Sequence, residues 1–427
     1  MSEENNEKSA LVPRLRFPEF REAGEWERKE LNEFLFEYQQ RNRGLKYGPQ
    51  DVLSVSGEFG CVNQIEHLGR SYAGVSVKDY RVVETGDIVY TKSPLKKNPF
   101  GIVKENKGKP GIVSTLYAVY RGKENAHPAY FDHYFSRDYF LNAYLQPLVK
   151  KGAKNDMKVN NSVVLSGDVI APKKDEQQKI AACLSSLNEL ITAETQKLDI
   201  LKTHKKGLVQ QLFPCAGVTI PRLRFPEFLD AGEWEYQDLG KLSTRVNRKN
   251  SDAKITRVLT NSAEHGVIDQ RDFFDKDIAN QANLDGYYIV EKGDYVYNPR
   301  ISVIAPVGPI SRNNLGTGVM SPLYTVFRFD SEEGDFYAHY FKSSHWHHYM
   351  RQTSSTGARH DRISITNDNF MGLPLPVPTE AEQHRIAECL SSLDELITAQ
   401  AKRLGLLRCH KSGLMQQLFP VLDEVPA

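Results

Sequence analysis

Three stretches bring together residue types that do covalent or metal chemistry in other settings. Asn98-Pro99-Phe100 holds part of the Asn-Pro-Pro-aromatic loop with which amino-methyltransferases grip a target amine, but the second proline is missing. Glu27-Arg28-Lys29 supplies the Glu-x-Lys half of a nuclease metal site, with no suitable Pro-Asp upstream. His345, His347 and His348 are close together but alternate with aromatics, the habit of packed or solvated histidines rather than ligands. No Gly-x-x-x-x-Gly-Lys-Ser/Thr phosphate loop and no Gly-x-Gly-x-x-Gly follows a strand. The chain therefore reads as non-catalytic, with no metal and no cofactor of its own.

Binding chemistry is better supplied. Lys92, Lys96 and Lys97 follow Gly86–Tyr90, and Arg300, Arg312 and Asn313 occupy the corresponding stretch later in the chain. A second cluster contains Lys151, Lys154 and Lys158, and its counterpart contains Arg359, His360 and Arg362. Lysine and arginine neutralise phosphates, and arginine and asparagine also read base edges in pairs of hydrogen bonds. Gly152 and Gly357, within these clusters, allow close backbone approach to a phosphate. These twelve residues are the expected surface for double-stranded DNA.

The word "counterpart" rests on a duplication. Pro13-Arg14-Leu15-Arg16-Phe17-Pro18-Glu19-Phe20 recurs as Pro221-Arg222-Leu223-Arg224-Phe225-Pro226-Glu227-Phe228, an offset of 208. Gly24-Glu25-Trp26-Glu27 returns as Gly232-Glu233-Trp234-Glu235. Cys183-Leu184-Ser185-Ser186-Leu187 returns as Cys389-Leu390-Ser391-Ser392-Leu393, an offset of 206. Fainter matches keep register, among them Gly86-Asp87 with Gly293-Asp294 and Gly152-Ala153-Lys154 with Gly357-Ala358-Arg359. A fixed repeat of this kind signals two copies of one unit. The near-identical ends and diverged middles fit one scaffold carrying two different targets.

Each copy ends in a long helical pattern. Ile180, Leu184, Leu187, Ile191, Glu194, Leu198, Leu201 and Lys205 step by four and three. So do Ile386, Leu390, Leu393, Ile397, Gln400, Leu404, Leu407 and Lys411. Alternating steps of three and four mark a coiled-coil seam. Both patterns stop at Phe-Pro, where proline disfavours continuation. Each helix of ~38 residues would be ~57 Å long. Antiparallel pairing, with residue numbers across the seam summing to 605, sets Glu194 against Lys411 and Lys205 against Gln400; a register one heptad shorter overlaps the helices better but buries Glu194 against Leu404.

The expected fold is mixed α/β: two repeated α/β recognition domains separated by two long helices that form an antiparallel coiled coil with pseudo-two-fold symmetry. The boundaries are a disordered tail over 1–11, domains at 12–174 and 215–380, spacer helices at 175–214 and 381–420, and a tail at 421–427. Inside the domains, the pattern predicts an opening helix near Leu31–Gln40 and strands at Asp87–Thr91, Ile112–Tyr120, Tyr295–Asn298 and Tyr324–Phe329. It also predicts aromatic-rich helices at Tyr130–Leu145 and Phe336–Arg351. Lys+Arg 55 against Asp+Glu 54 excludes a general basic coat, so a nucleic-acid surface must be local. No apolar run reaches the ~18 residues of a membrane span, and five cysteines without a close pair suit a reducing cytoplasm.

On these motifs the chain resembles the specificity (S) subunit of type I restriction–modification systems. The carrying residues are the openings at 13–27 and 221–235, the Glu-Gln-x-x-Ile-Ala-x-Cys-Leu-Ser-Ser-Leu starts at 176 and 382, and the Gly-Leu-x-Gln-Gln-Leu-Phe-Pro stops at 207–214 and 413–420. The resemblance implies two target recognition domains, each reading half of a split asymmetric DNA site. It implies spacer helices that dock two modification (methyltransferase) subunits, and further restriction (translocase/nuclease) subunits. S-adenosylmethionine, ATP and Mg2+ would reside on those partners. The alternatives are a coiled-coil scaffold that binds only proteins, or a self-sufficient methyltransferase or nuclease.

Overall fold

The repeated openings close a buried ion pair onto the first turn of each long helix. Arg16 donates from Nε and Nη2 to the two carboxylate oxygens of Glu176, both at 2.7 Å, and from Nη1 to the Gly24 carbonyl. Trp26 Nε1 donates to the same carboxylate. The second copy repeats the set with Arg224, Glu382, Gly232 and Trp234. A carboxylate in the first turn also suits the positive end of the helix dipole. The motifs that reveal the duplication are thus a clamp between domain and helix, and not a reading surface.

The computed structural model describes residues 11–420 except 75, 152–156, 274–283, 332–333 and 357–360. It divides into two units, one of 1–194 with 404–427 and one of 195–403. The cut passes through both long helices, Lys174–Leu212 and Glu380–Gln417. Of the tail expected at 1–11, residues 1–10 lie outside the described residues. Leu11 packs on the first core, and its carbonyl accepts from Trp26 N.

The first unit contains a four-stranded antiparallel sheet in the order Leu35–Glu37, Tyr117–Gly122, Ile88–Thr91, Ile102–Glu105. Hairpins and short pairs surround it, including Leu53–Ser56 with Gly60–Asn63. The second unit contains the same sheet from Ser243–Arg245, Thr325–Phe329, Tyr295–Tyr297 and Ile310–Arg312. The expected strand Ile112–Tyr120 is in fact two, Gly111–Val113 and Tyr117–Gly122, each with its own partner. The expected opening helix is a single 3-10 turn, Leu31–Glu33, followed by the edge strand Leu35–Glu37. Pairing of that strand with Tyr117–Gly122 overrides the local helical spacing.

Aromatic helices cover one face of each sheet. The expected helix Tyr130–Leu145 is broken into Pro128–Phe135 and Asp138–Leu145, and Ser136 Oγ turns back onto the Asp132 carbonyl at the break. Phe336–Arg351 is broken likewise, into Gly334–Tyr340 and His347–Thr353. Buried Trp346 precedes the second piece and anchors it in the core. From these helices His133 reaches Ser185 Oγ at 3.1 Å and His339 reaches Ser391 Oγ at 3.0 Å, which accounts for the repeated Leu-Ser-Ser-Leu.

Burial pushes both imidazoles down to about 4. Asp132, Lys107, Lys411 and Lys104 face His133; Lys205, Asp394, Asp335 and Lys342 face His339. An unfolded histidine takes its proton near ~6.5. The unfolded chain therefore binds more protons between the two values, and stability falls as pH drops from about 6.5 towards 4. Thermal unfolding across that window should show the loss, and the double variant H133Q/H339Q should flatten it.

Every residue predicted for the helix seam is buried or half-buried. Within the first unit, Ile180 and Leu184 at the start of one helix share a core with Leu414, Leu418 and Phe419 at the end of the other. Within the second, Val209, Leu212 and Phe213 share a core with Ile386 and Leu390. Lys205 pairs with Asp394, so numbers across the pair sum to 599, about a heptad below 605. This register corrects the expected one. It sets Glu194 level with Leu404 and Gln400 level with Leu198, all four buried. The physical reason is relative size: burying an aromatic such as Phe213 or Phe419 stabilises by about 1.5–3 kcal/mol, against about 0–1 kcal/mol for a seam ion pair.

Candidate nucleic-acid interface

In the second unit two loops that are distant in sequence meet. The segment leaving Tyr295–Tyr297 runs beside the arm of the hairpin Ser355–Thr356/Ile363–Ser364. Arg300 and Arg362 form a bridge, Ile301 N donates to the Asp361 carbonyl, and Ile363 N donates to the Pro299 carbonyl. Arg300 and Arg362, one from each predicted cluster, are thereby brought side by side, with Arg300 exposed and Arg362 half-buried. Arg359 and His360 lie outside the described residues.

The first unit carries lysines at the corresponding places in its sequence. Lys92, Lys96 and Lys97 leave the corresponding strand Ile88–Thr91, and Lys96 and Lys97 are exposed. Lys151 and Lys158 lie on the paired strands Lys150–Lys151 and Met157–Lys158, and Lys154 lies outside the described residues. Glu37 accepts from Arg81 at 2.8 Å and from Asn161, just beyond the second of these strands, at 2.6 Å. Burial and repulsion from Arg81 hold the Lys92 ammonium below the usual lysine range. A phosphate there would favour the charged ammonium.

One glycine in each unit returns the chain from this loop to the sheet. Gly101 and Gly308 have φ of +94° and +80°. A Cβ would sit 1.9 Å from the Thr91 carbonyl oxygen in one and 2.0 Å from that of Asn298 in the other. Only glycine allows this re-entry.

Two predicted contacts do not belong to this surface. Arg312 and Asn313 sit where Ile310–Arg312 meets Tyr295, at the opposite end of Tyr295–Tyr297 from Arg300. Arg312 pairs with Asp335 at 2.5 Å. Asn313 is fully buried, donating to the Glu291 and Gly316 carbonyls and accepting from Leu315 N. Asn106 makes the same turn in the first unit. Beside them, buried Asp87 and Asp294 pair with Arg121 and Arg328, which explains the repeated Gly-Asp. The antiparallel hairpin, invisible in linear spacing, puts these residues at the far end.

The stretches first considered for catalysis have structural employment. Asn98 Nδ2 donates to Asp138 Oδ1 at 3.0 Å. Glu27 and Lys29 pair with each other on an exposed strand. His345 Nε2 lies 3.3 Å from the Gln210 carbonyl, and His347 meets Trp346 edge-on. Among the described residues no cluster of three His, Cys, Asp or Glu could hold a metal ion, and no helix is long and apolar enough to cross a membrane.

Sequence reading missed several exposed apolar side chains. Leu190 and Leu406 are exposed in the first unit, and Ile200 and Leu396 in the second. By the repeat offset, Leu190 is equivalent to Leu396 and Ile200 to Leu406, all outside the seam. Val303 and Ile304 are 100% and 65% exposed on the loop that carries Arg300. Their helical or loop setting offered no sign of exposure; only comparison of the two copies would have singled them out.

Residues 240–406 match the family model described as type I restriction modification DNA specificity domain. A curated protein of Methanocaldococcus jannaschii, assigned as the MjaX specificity subunit of a type I restriction enzyme, is 22% identical over 356 residues. The match covers 80% of this chain and 79% of that protein. Among solved structures, the S subunit of a type I restriction–modification system from M. genitalium aligns with a TM-score of 0.55 at 11% identity, covering 97% of this chain and all of that one. A chain from a study of assembly and conformational transition of the type I R-M system aligns at 0.50 and 16% identity, covering 92% and 97%. Identities this low speak to the fold alone.

Proposed function

The chain is related over most of its length to the specificity subunits of type I restriction–modification systems, and on that premise we propose that it reads a split, asymmetric DNA site, one half-site per unit. The observation that carries the reading is the loop pair of the second unit, joined by the Arg300–Arg362 bridge, together with the exposed lysine loop that leaves the corresponding strand of the first unit. Two unlike reading domains demand two unlike half-sites.

The exposed pairs Leu190/Leu406 and Ile200/Leu396 are the seats for two modification subunits. Apolar side chains at equivalent exposed positions suit partner burial. Methylation with S-adenosylmethionine, and ATP- and Mg2+-dependent cleavage by restriction subunits, belong to those partners, in the cytoplasm. This chain contributes position and selectivity.

Mapping methylated adenines in cells that express the chain with its cognate partner tests the reading. A bipartite asymmetric motif is expected, with methylation lost in L190K/L406K while binding of the purified chain to the motif persists. Methylation without a split motif would overturn the proposal.

A further inference from the structure

The same turn sits at the tip of the reading loop in both units, with opposite chemistry. In the first, Leu95 N donates to the Asn98 carbonyl, Asn98 N to that of Leu95, and Gly101 N to that of Asn98, at 3.0, 3.1 and 3.1 Å. In the second, Ser302, Ala305 and Gly308 repeat these bonds at 3.0, 3.2 and 3.1 Å. The two residues at the tip are Lys96-Lys97 in one case and Val303-Ile304 in the other. The backbone is held alike, so the side chains are what distinguish the turns.

Single exposed apolar residues on a surface need no explanation. Adjacent β-branched residues at 100% and 65% exposure are another matter when they top an ordered turn beside Arg300 and Arg362. They support no core there. A lysine tip can hold only phosphate or acceptor edges such as those of guanine, and it has no affinity for a methyl group. A Val-Ile tip has nothing to offer a phosphate. It complements the one apolar feature on a major-groove edge, the C5-methyl of thymine.

Resting on the DNA-reading function above, we propose that Val303 and Ile304 form an apolar reading tip that packs against thymine methyl groups in the half-site bound by residues 195–403. Arg300 and Arg362 hold the neighbouring phosphates, so charge brings the tip to the groove and the methyl contact selects the base. The equivalent Lys96-Lys97 tip does not discriminate in this way.

The test uses the full chain, with its modification subunits, and duplexes bearing the mapped motif. The half-site in question is the one at which R300E/R362E abolishes protection. Replacing its thymines by uracil should weaken wild-type binding about fourfold per contacted methyl. V303S/I304S should weaken thymine duplex binding by about tenfold, remove the thymine–uracil difference, and leave the salt dependence and unfolding midpoint unchanged. V303K/I304K, which copies the other tip, should steepen the salt dependence and also lose the difference. A half-site without thymine, or a serine variant that still discriminates thymine from uracil, overturns the proposal. Absence of motif-selective binding by the wild-type chain removes the DNA-reading function itself, and this inference with it.

Discussion

Glu382→Ala lowers the stability of the second unit by about 3–5 kcal/mol, because it strands a guanidinium in a buried site. The side chains of Arg224 and Glu382 are only 6% and 0% exposed, and Trp234 donates to the same carboxylate. Without Glu382 the Arg224 fork keeps one carbonyl partner, Gly232, and no counter-charge. Urea unfolding followed by tryptophan fluorescence should show the loss, since Trp234 is buried against the clamp. R224M/E382M should recover much of it, because removing both charges leaves no uncompensated ion. Glu176→Ala should act in the same way on the first unit through Arg16 and Trp26. Equal destabilisation by the single and double substitutions would mean that the site works through packing alone.

Arg300→Glu with Arg362→Glu should cut affinity for cognate DNA by at least about 100-fold at moderate salt. Each lost phosphate contact lowers the slope of log K against log salt by about 0.9, so the slope should fall by roughly two. The control comes from the corrected placement of Arg312. It is held by Asp335 at the far end of the strand, so Arg312→Glu should leave DNA binding near the wild-type level. Fluorescence anisotropy over a salt series decides between them. If Arg312→Glu weakens binding as much as the Arg300/Arg362 pair, the reading surface has been assigned to the wrong end of the sheet.

The duplication, the helical seam and the basic clusters were all legible in the linear chain. Periodicity is a local property, and Ile180 to Lys205 and Ile386 to Lys411 declare their buried face whatever they pack against. The repeated Arg-Leu-Arg-Phe-Pro-Glu-Phe and Gly-Glu-Trp were equally visible, but not their use. A bond between residues 16 and 176 has no signature in either segment alone. The helix expected at Leu31–Gln40 gave way to a strand for the same reason, its partner lying some eighty residues later.

What the sequence determined by itself was the number of units, the helix stripes and the charge available for a polyanion, since composition and spacing carry these directly. Tertiary structure alone decided which end of each sheet the charges occupy, which asparagine is buried in a turn, and where the helices stop sliding past each other. Those outcomes are settled by competition among long-range contacts. Burying Phe213 and Phe419 outweighs pairing Glu194 with Lys411, and antiparallel return places Asn313 away from Arg300 despite their nearness along the chain.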